Sequence, residues 1–255
     1  MDLTLFRCHD YRFLVQRWRK VARTAGLRMR PFAQAGGEEL FVLSSRQSPD
    51  GGIYLSAGIH GDEPAGTEGL LRWAEANVGI LKRIPCLIFP CLNPWGLIHN
   101  NRLDEAGRDL NRTFHHDEVP QIQALKALIR PYRFALSMTL HEDYDGQGLY
   151  IYEVERATPF WGEALLDIAR PLMPIEGRTT IDGRRASAAG LVRRKVNARR
   201  FPMIPEAVYL HQHHSRRTFT IETPSEFALD ARVQVHITLL QECVRRTLAE
   251  SANPC

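Results

Sequence analysis

The stretch Ile53-Tyr54-Leu55-Ser56-Ala57-Gly58-Ile59-His60-Gly61-Asp62-Glu63-Pro64 decides how the rest of the chain is read. Its first five residues form an apolar, β-branched run that predicts a buried strand. Beyond Pro64, the residues Leu70, Leu71, Trp73, Ala74 and Val78 recur at helical spacing. His60 and Glu63 therefore sit where a strand hands over to a helix, a place from which loop side chains point into a crevice. The glycines let the backbone turn tightly there, and an imidazole and a carboxylate three residues apart can both reach one Zn²⁺. His-x-x-Glu arises by chance in many chains, so its weight depends on what the other strand ends carry.

Upstream, an amphipathic basic helix is expected over 11–22, followed by a strand at Leu40-Phe41-Val42-Leu43. The turn signal Ser48-Pro49-Asp50-Gly51-Gly52 then predicts that this strand and the one before His60 form a hairpin or lie side by side. Downstream, Cys86 to Leu92 reads as a strand buried on both faces, ending in an Asn93-Pro94-Trp95-Gly96 turn. The polar stretch from Asn100 to Phe114 has no clean period, and long ordered loops in compact domains usually carry function. Helical spacing over 119–129 is followed by a strand over 134–140 that runs straight into His141. Another strand is expected at 149–153, a helix over 160–172, and a last strand over 217–221 that delivers Glu222 before a closing amphipathic helix. Strands separated by helices predict an α/β fold with an open sheet between helical layers. With no repeat and no composition break, residues 1–255 read as one domain.

The bulk composition fits a soluble enzyme, 44% hydrophobic and 24% charged over 255 residues. A net charge of +4 suits an acidic substrate but is too small to argue for nucleic acid. The five cysteines, Cys8, Cys86, Cys91, Cys243 and Cys255, form no close pair and read as reduced thiols, with Cys86 and Cys91 in a buried strand. Asp2 and Arg7 interrupt any apolar signal-peptide core, and no run is long enough to span a bilayer, so a cytoplasmic location is expected. Between Thr179 and Arg200, the residues Arg184, Arg185, Arg193, Arg194, Lys195, Arg199 and Arg200 make either a solvated basic loop or one that recognises a substrate carboxylate. His211, His213 and His214 lack a patterned acidic or thiolate partner and read as a solvent-facing or helix-end cluster.

Three strand ends thus carry polar residues that a buried strand does not need: His60 with Glu63, His141, and Glu222. Two imidazoles and one carboxylate are the protein ligands of a catalytic zinc site with its fourth position open to water. Glu222 is then available as the base that takes a proton from that water and passes it to the leaving amine. Arg102 can stabilise an oxyanion, although Arg108 in the same loop offers the same charge. Asn111 and Arg112 can clamp a substrate carboxylate, and Asp109 can accept the second N–H of a ligating histidine. Glu142, Asp143 and Asp145 read as loop and supporting residues rather than ligands of a second cation.

The ordered set resembles the zinc carboxypeptidases and their deacylase relatives. The motifs stand here as Gly58 to Glu63, Asn93 to Gly96, Arg102 with Gly107-Arg108-Asp109-Leu110-Asn111-Arg112-Thr113-Phe114, His141, and Glu222, in a core of about 50–245. The resemblance implies a mixed, mostly parallel sheet flanked by helices on both faces. It implies one Zn²⁺ on His60, Glu63 and His141, Glu222 as general base and acid, and Arg102 polarising the scissile carbonyl. It further implies Asn111 and Arg112 on the substrate's terminal carboxylate, with Asp109 behind His60. The family often places a mobile tyrosine over the substrate; no motif locates it here, and Tyr209 is the candidate. The spacing from Glu63 to His141 is shorter than in the digestive-type enzymes and is similar to that of murein peptide amidases, desuccinylases and aspartoacylases. The expected activity is hydrolysis of an amide next to a terminal carboxylate, with cell-wall-type γ-glutamyl peptides as one substrate class. Deacylation of N-acyl amino acids is the alternative, and a catalytically idle zinc-binding interaction protein is a further one. The expected partner is a small peptide or N-acyl amino acid, without nucleic acid or membrane, and the sequence does not fix an oligomeric state.

Overall fold

The computed structural model describes residues 6–154, 158–196 and 203–252, so Asp2, Arg199, Arg200 and Cys255 lie outside the described residues. The elements run α1 (Tyr11–Ala25), β1 (Arg28–Ala35), β2 (Glu38–Ser44), β3 (Ile53–Ala57), α2 (Pro64–Ala76), α3 (Val78–Leu81), β4 (Cys86–Phe89) and α4 (Pro94–His99). There follow α5 (Pro120–Ile129), β5 (Phe134–Asp143), β6 (Tyr150–Val154), α6 (Gly162–Ala169), β7 (Thr180–Ile181), β8 (Arg184–Arg185), β9 (Leu191–Arg194), α7 (Glu206–His213), β10 (Ser215–Pro224) and α8 (Leu229–Ala252).

Eight strands form one sheet in the order β1-β2-β4-β3-β5-β10-β6-β9. Its centre, β4-β3-β5-β10, is parallel, whereas β1, β2 and β6 join antiparallel and β9 runs parallel to β6. The mixed, mostly parallel sheet expected from the sequence is therefore present. The expected hairpin between β2 and β3 is not: β4 lies between them, pairing antiparallel with β2 and parallel with β3. A turn signal reports a local reversal; which strand fills the neighbouring slot depends on long-range burial, and the wholly apolar β4 takes the more buried position.

Strand alternation sends side chains to two separate cores. Ile53, Leu55, Leu136, Met138, Phe219 and Ile221 pack with α1, α2, α6 and α8 through residues such as Trp18, Trp73, Leu165 and Leu239. Tyr54, Leu87, Phe89 and Phe134 pack on the opposite face with Ile122 and Leu125 of α5 and Leu210 of α7. Cys86 is in β4, while Cys91 lies just beyond its end; both are buried, and with Cys8 and Cys243 they are free thiols. No described helix is long and apolar enough to cross a membrane.

Two local features aim the site loops. Gly58 adopts φ 63°, and a Cβ there would come within 2.7 Å of Thr67 Cγ2, so only glycine fits as the chain leaves β3. Gly61 lies so close to α4 that an added Cβ would sit 1.8 Å from the Gly96 carbonyl carbon. The Asn-Pro-x-Gly stretch is thus the start of α4 rather than an isolated turn: Asn93 Oδ1 accepts from Gly96 N at 2.9 Å, capping the helix, and its amide donates to Leu103 O at 3.1 Å. That second bond holds the loop that carries Arg102.

Candidate metal centre

His141 and Glu222 occupy the C-terminal ends of the adjacent parallel strands β5 and β10, paired directly in register. Each strand runs past the functional residue, to Asp143 and Pro224, so both groups are held by sheet hydrogen bonds and not by flexible loops. The neighbours two residues back, Thr139 and Thr220, share their face and bond to each other at 2.9 Å. His60 and Glu63 reach the same point from the turn after β3, which pairs with the other side of β5.

One donor atom from each of His60, Glu63 and His141 lies within 4.8 Å of the other two, and all three residues are buried. Glu63 bridges the imidazoles, with Oε1 2.6 Å from His60 Nδ1 and Oε2 2.9 Å from His141 Nδ1. Both Nδ1 atoms thus converge on one carboxylate. The other ring nitrogen of His60 lies 3.1 Å from Asp109 Oδ1, which fixes the ring's orientation. Burial would disfavour a charged His60, but the Glu63 carboxylate and the Asp109 hydrogen bond outweigh it and raise its pKa to about 9. Burial likewise opposes ionisation of Glu63 and Asp109, yet the neighbouring cations hold both well below the usual carboxylate range. Two nitrogens and one carboxylate in this arrangement fit a divalent transition ion with an open coordination position.

These three residues line a cavity of about 500 Å³ together with Arg102, Asn111, Arg112, Tyr150, Tyr152 and Glu222. Arg102 is held against the ligand set by Glu63 Oε1 at 3.2 Å and by Asp109 Oδ2 at 3.2 and 3.3 Å. Arg108 does not line the cavity; it is turned away onto Asp104 at 2.7 Å. Asp109 also caps the short 3₁₀ turn Leu110–Arg112, accepting from Asn111 N at 2.9 Å. The side-chain oxygen of Asn111 takes the Glu206 backbone N–H at 2.9 Å, which leaves its amide group as a donor. Arg112 makes no ion pair among the described residues; its one side-chain bond is to the Asn111 carbonyl at 3.1 Å. Glu222 accepts no hydrogen bond from any described residue, and burial, reinforced by Glu63, Asp143 and Asp182 against the opposing pull of His141, raises its pKa to about 8.

The candidate substrate-capping tyrosine is not placed in this cavity. Tyr209 projects from α7 onto Phe114, His213 and His214, with ring centroids 4.8–5.6 Å apart. The tyrosines lining the cavity are Tyr150 and Tyr152 of β6, which sequence reasoning read only as strand residues. Asp182 and Arg184, on the β7–β8 hairpin, line it as well; of the basic 179–200 stretch, Arg184 is the described residue that does so, while Arg193 pairs with Glu153 and Glu163. The charge run flags Arg184 as one of several possible carboxylate-recognising residues, but nothing singles out Arg184 or Asp182, because two-residue strands have no period to read. His211 and His213 belong to α7 and His214 caps its end, as the helix-end reading expects, but His211 and His214 are buried rather than solvent-facing. Glu142 and Asp143 bond Arg232 and Tyr150 respectively.

The succinylglutamate desuccinylase/aspartoacylase catalytic-domain model matches residues 49–131, the segment that carries His60, Glu63, Arg102, Asn111 and Arg112. Over 103 residues the chain is 34% identical to carboxypeptidase SOL1 of Arabidopsis thaliana, an alignment covering 32% of this chain and 21% of that relative. A Shewanella amazonensis protein classed as a metallopeptidase superposes with a TM-score of 0.82 over 94% of each chain at 23% identity. A metallo-carboxypeptidase from Burkholderia cenocepacia superposes with a TM-score of 0.68 at 15% identity, over 92% of this chain and 68% of that one. The fold is carboxypeptidase-like. At these identities the superpositions establish the fold alone; the chemistry has to be argued from the cavity.

Proposed function

We propose that the carboxypeptidase-like chain is a zinc-dependent hydrolase of an amide bond next to a terminal carboxylate. One observation carries this reading: a single cavity contains the His60, Glu63 and His141 donor set, a carboxylate, Glu222, and a guanidinium, Arg112, which among the described residues have no hydrogen-bond donor and no ion-pair partner respectively. His60, Glu63 and His141 would hold the ion, which when bound supplies Lewis acidity and brings the pKa of water near neutrality. Asp109 keeps His60 turned toward the ligand point.

The chain's own groups do the rest. Glu222, poised by its half-buried, poorly solvated position, takes a proton from the attacking water as oxygen bonds to the scissile carbonyl carbon. It then returns that proton to the amide nitrogen as the C–N bond breaks, so that a carboxylic acid and an amine leave. Arg102, oriented by Glu63 and Asp109, places positive charge beside the carbonyl oxygen. Arg112 meets the terminal carboxylate with a bidentate fork, helped by the Asn111 amide. Tyr209 takes no part, and Tyr150 and Tyr152 are the tyrosines within reach of a bound substrate.

The desuccinylase/aspartoacylase model favours a second reading with the same site, removal of an acyl group from an N-acyl amino acid. Incubating the zinc-loaded protein with C-terminally free peptides, including γ-glutamyl peptides, and with N-succinyl, N-acetyl and N-aspartyl amino acids separates the two. Release of a C-terminal residue from peptides supports the carboxypeptidase reading; turnover of the N-acyl amino acids alone replaces it with the deacylase. Turnover of neither class by a protein that binds zinc rejects both.

A further inference from the structure

The face of the sheet away from the cavity carries a second set of polar residues that the chemistry above does not use. Strand alternation turns the residues after His141 and Glu222, namely Glu142 and Thr223, to that opposite face, where they are register partners. Both meet one helix. Arg232 and His236, four residues apart on α8 and so on one side of it, reach Glu142 and Thr223 respectively, His236 Nε2 lying 3.2 Å from Thr223 Oγ1. The Glu142 side chain is wholly buried. Its other oxygen accepts from Ala65 N at 2.6 Å, two residues beyond Glu63 in the first turn of α2. One carboxylate therefore joins three segments: the turn that presents Glu63, the strand end that presents His141, and α8.

The backbone fit around this junction is close. A Cβ on Gly66 would lie 3.0 Å from the Leu140 carbonyl oxygen, and one on Gly69 would lie 2.7 Å from His236 Cβ, so α2 is seated directly on β5 and α8. A surface role does not account for an ion pair in such a place. Buried pairs are a weak source of net stability and are best understood where they fix one arrangement over others.

We infer that Glu142, Arg232, Thr223 and His236 are positioning residues, a buried network on the far face of the sheet that holds Glu63, His141 and Glu222 at the mutual spacing a metal ion requires. This rests on the metal-site reading above. Glu142 fixes the start of α2 relative to β5, Arg232 fixes Glu142, and the Thr223 contact ties the Glu222 strand to the same helix.

The test measures Zn²⁺ affinity by competition with a chelator, the visible absorption spectrum of the Co²⁺-loaded protein, and the thermal unfolding of the metal-free chain. It compares wild type, Glu142→Gln, Arg232→Met, and the Glu142→Gln/Arg232→Met double variant, in which no buried charge is left unpaired. The network reading expects about tenfold weaker zinc binding and a shifted Co²⁺ spectrum in all three, at the lower end of what supporting residues contribute. It also expects the double variant to recover melting temperature without recovering metal affinity. Should a single variant fail to fold, the double variant carries the comparison. Zinc affinity and Co²⁺ spectrum equal to wild type, or affinity that returns together with melting temperature in the double variant, would overturn the positioning role while leaving the metal site intact. A wild-type chain that binds no metal would overturn both.

Discussion

Asp109→Asn is the sharpest probe of how the ligand set is held. The Asp109 carboxylate accepts four N–H groups: His60 Nε2 at 3.1 Å and Asn111 N at 2.9 Å on one oxygen, and two Arg102 nitrogens at 3.2 and 3.3 Å on the other. Asparagine keeps the first oxygen but turns an NH₂ group onto the Arg102 fork, so donors face donors. The charge that makes His60 a stronger ligand also disappears. Loss of such an outer partner costs about 10- to 100-fold in metal affinity, or about 1.4–2.7 kcal/mol. Arg102 is 41% exposed, so water replaces part of the lost ion pair and the metal-free fold loses less, about 1 kcal/mol. The effect on the metal therefore exceeds the effect on folding. Chelator competition against Zn²⁺ gives the first quantity and urea unfolding of the metal-free chain gives the second. A zinc dissociation constant within twofold of wild type would refute the argument that Asp109 orients His60.

Glu222→Gln is expected to lower kcat by about 10²- to 10⁴-fold, since only the proton-transfer group is lost. Because desolvation raises the Glu222 pKa from about 4.5 to about 8, the metal-free fold loses stability as pH rises from about 4.5, and the loss is complete above about 8. The Gln variant should accordingly melt higher than wild type by a margin that grows between about pH 4.5 and 8 and is constant above; a marked loss of melting temperature would contradict the view that Glu222 has no structural partner among the described residues. Arg112→Ala should raise KM about 10- to 100-fold for substrates with a free carboxylate and leave their amidated counterparts unaffected, and an equal effect on both would argue against a carboxylate clamp. Metal affinity should depend on pH with a definite sign. His60 must lose its proton to bind a metal, and with its pKa raised to about 9, zinc binding should tighten about tenfold per pH unit per proton displaced as pH rises toward 9. The same shift contributes stability to the metal-free fold that is complete below about 6.5 and lost as pH rises through about 9. Isothermal titration across pH 6–9 checks the trend, and affinity independent of pH would contradict it.

The sequence was most legible where chemistry forces a residue type. His60, Glu63, His141 and Glu222 interrupt strand ends that have no structural need for them, and the structure brings all four to one cavity. The apolar runs of β3 and β4 announced buried strands at the centre of the sheet, because strands buried on both faces leave a near-continuous apolar signature, whereas β10, with Arg217, Thr218 and Thr220, carries none. Strand order was less legible. The β2–β3 neighbourhood was misjudged since pairing depends on contacts distant in sequence, and β4 arrives 42 residues after β2 ends. The rim of the cavity was only partly legible: Tyr150 and Tyr152 sit in an ordinary β pattern, and the basic run that includes Arg184 did not single it out, since Asp182 and Arg184 lie in a hairpin of two-residue strands whose place over the site is set by tertiary packing. Tyr209 illustrates the converse, since nearness in sequence to Glu222 did not bring it into the cavity; α7 turns it into an aromatic cluster with Phe114 and His214.

The central claim is that His60, Glu63 and His141 bind a catalytic metal ion, and elemental analysis of the purified protein and of His141→Ala tests it most directly. The account predicts about one zinc per wild-type chain after metal-replete preparation and exhaustive dialysis, with almost none in the variant. A folded wild-type protein that retains no transition metal under those conditions would contradict it.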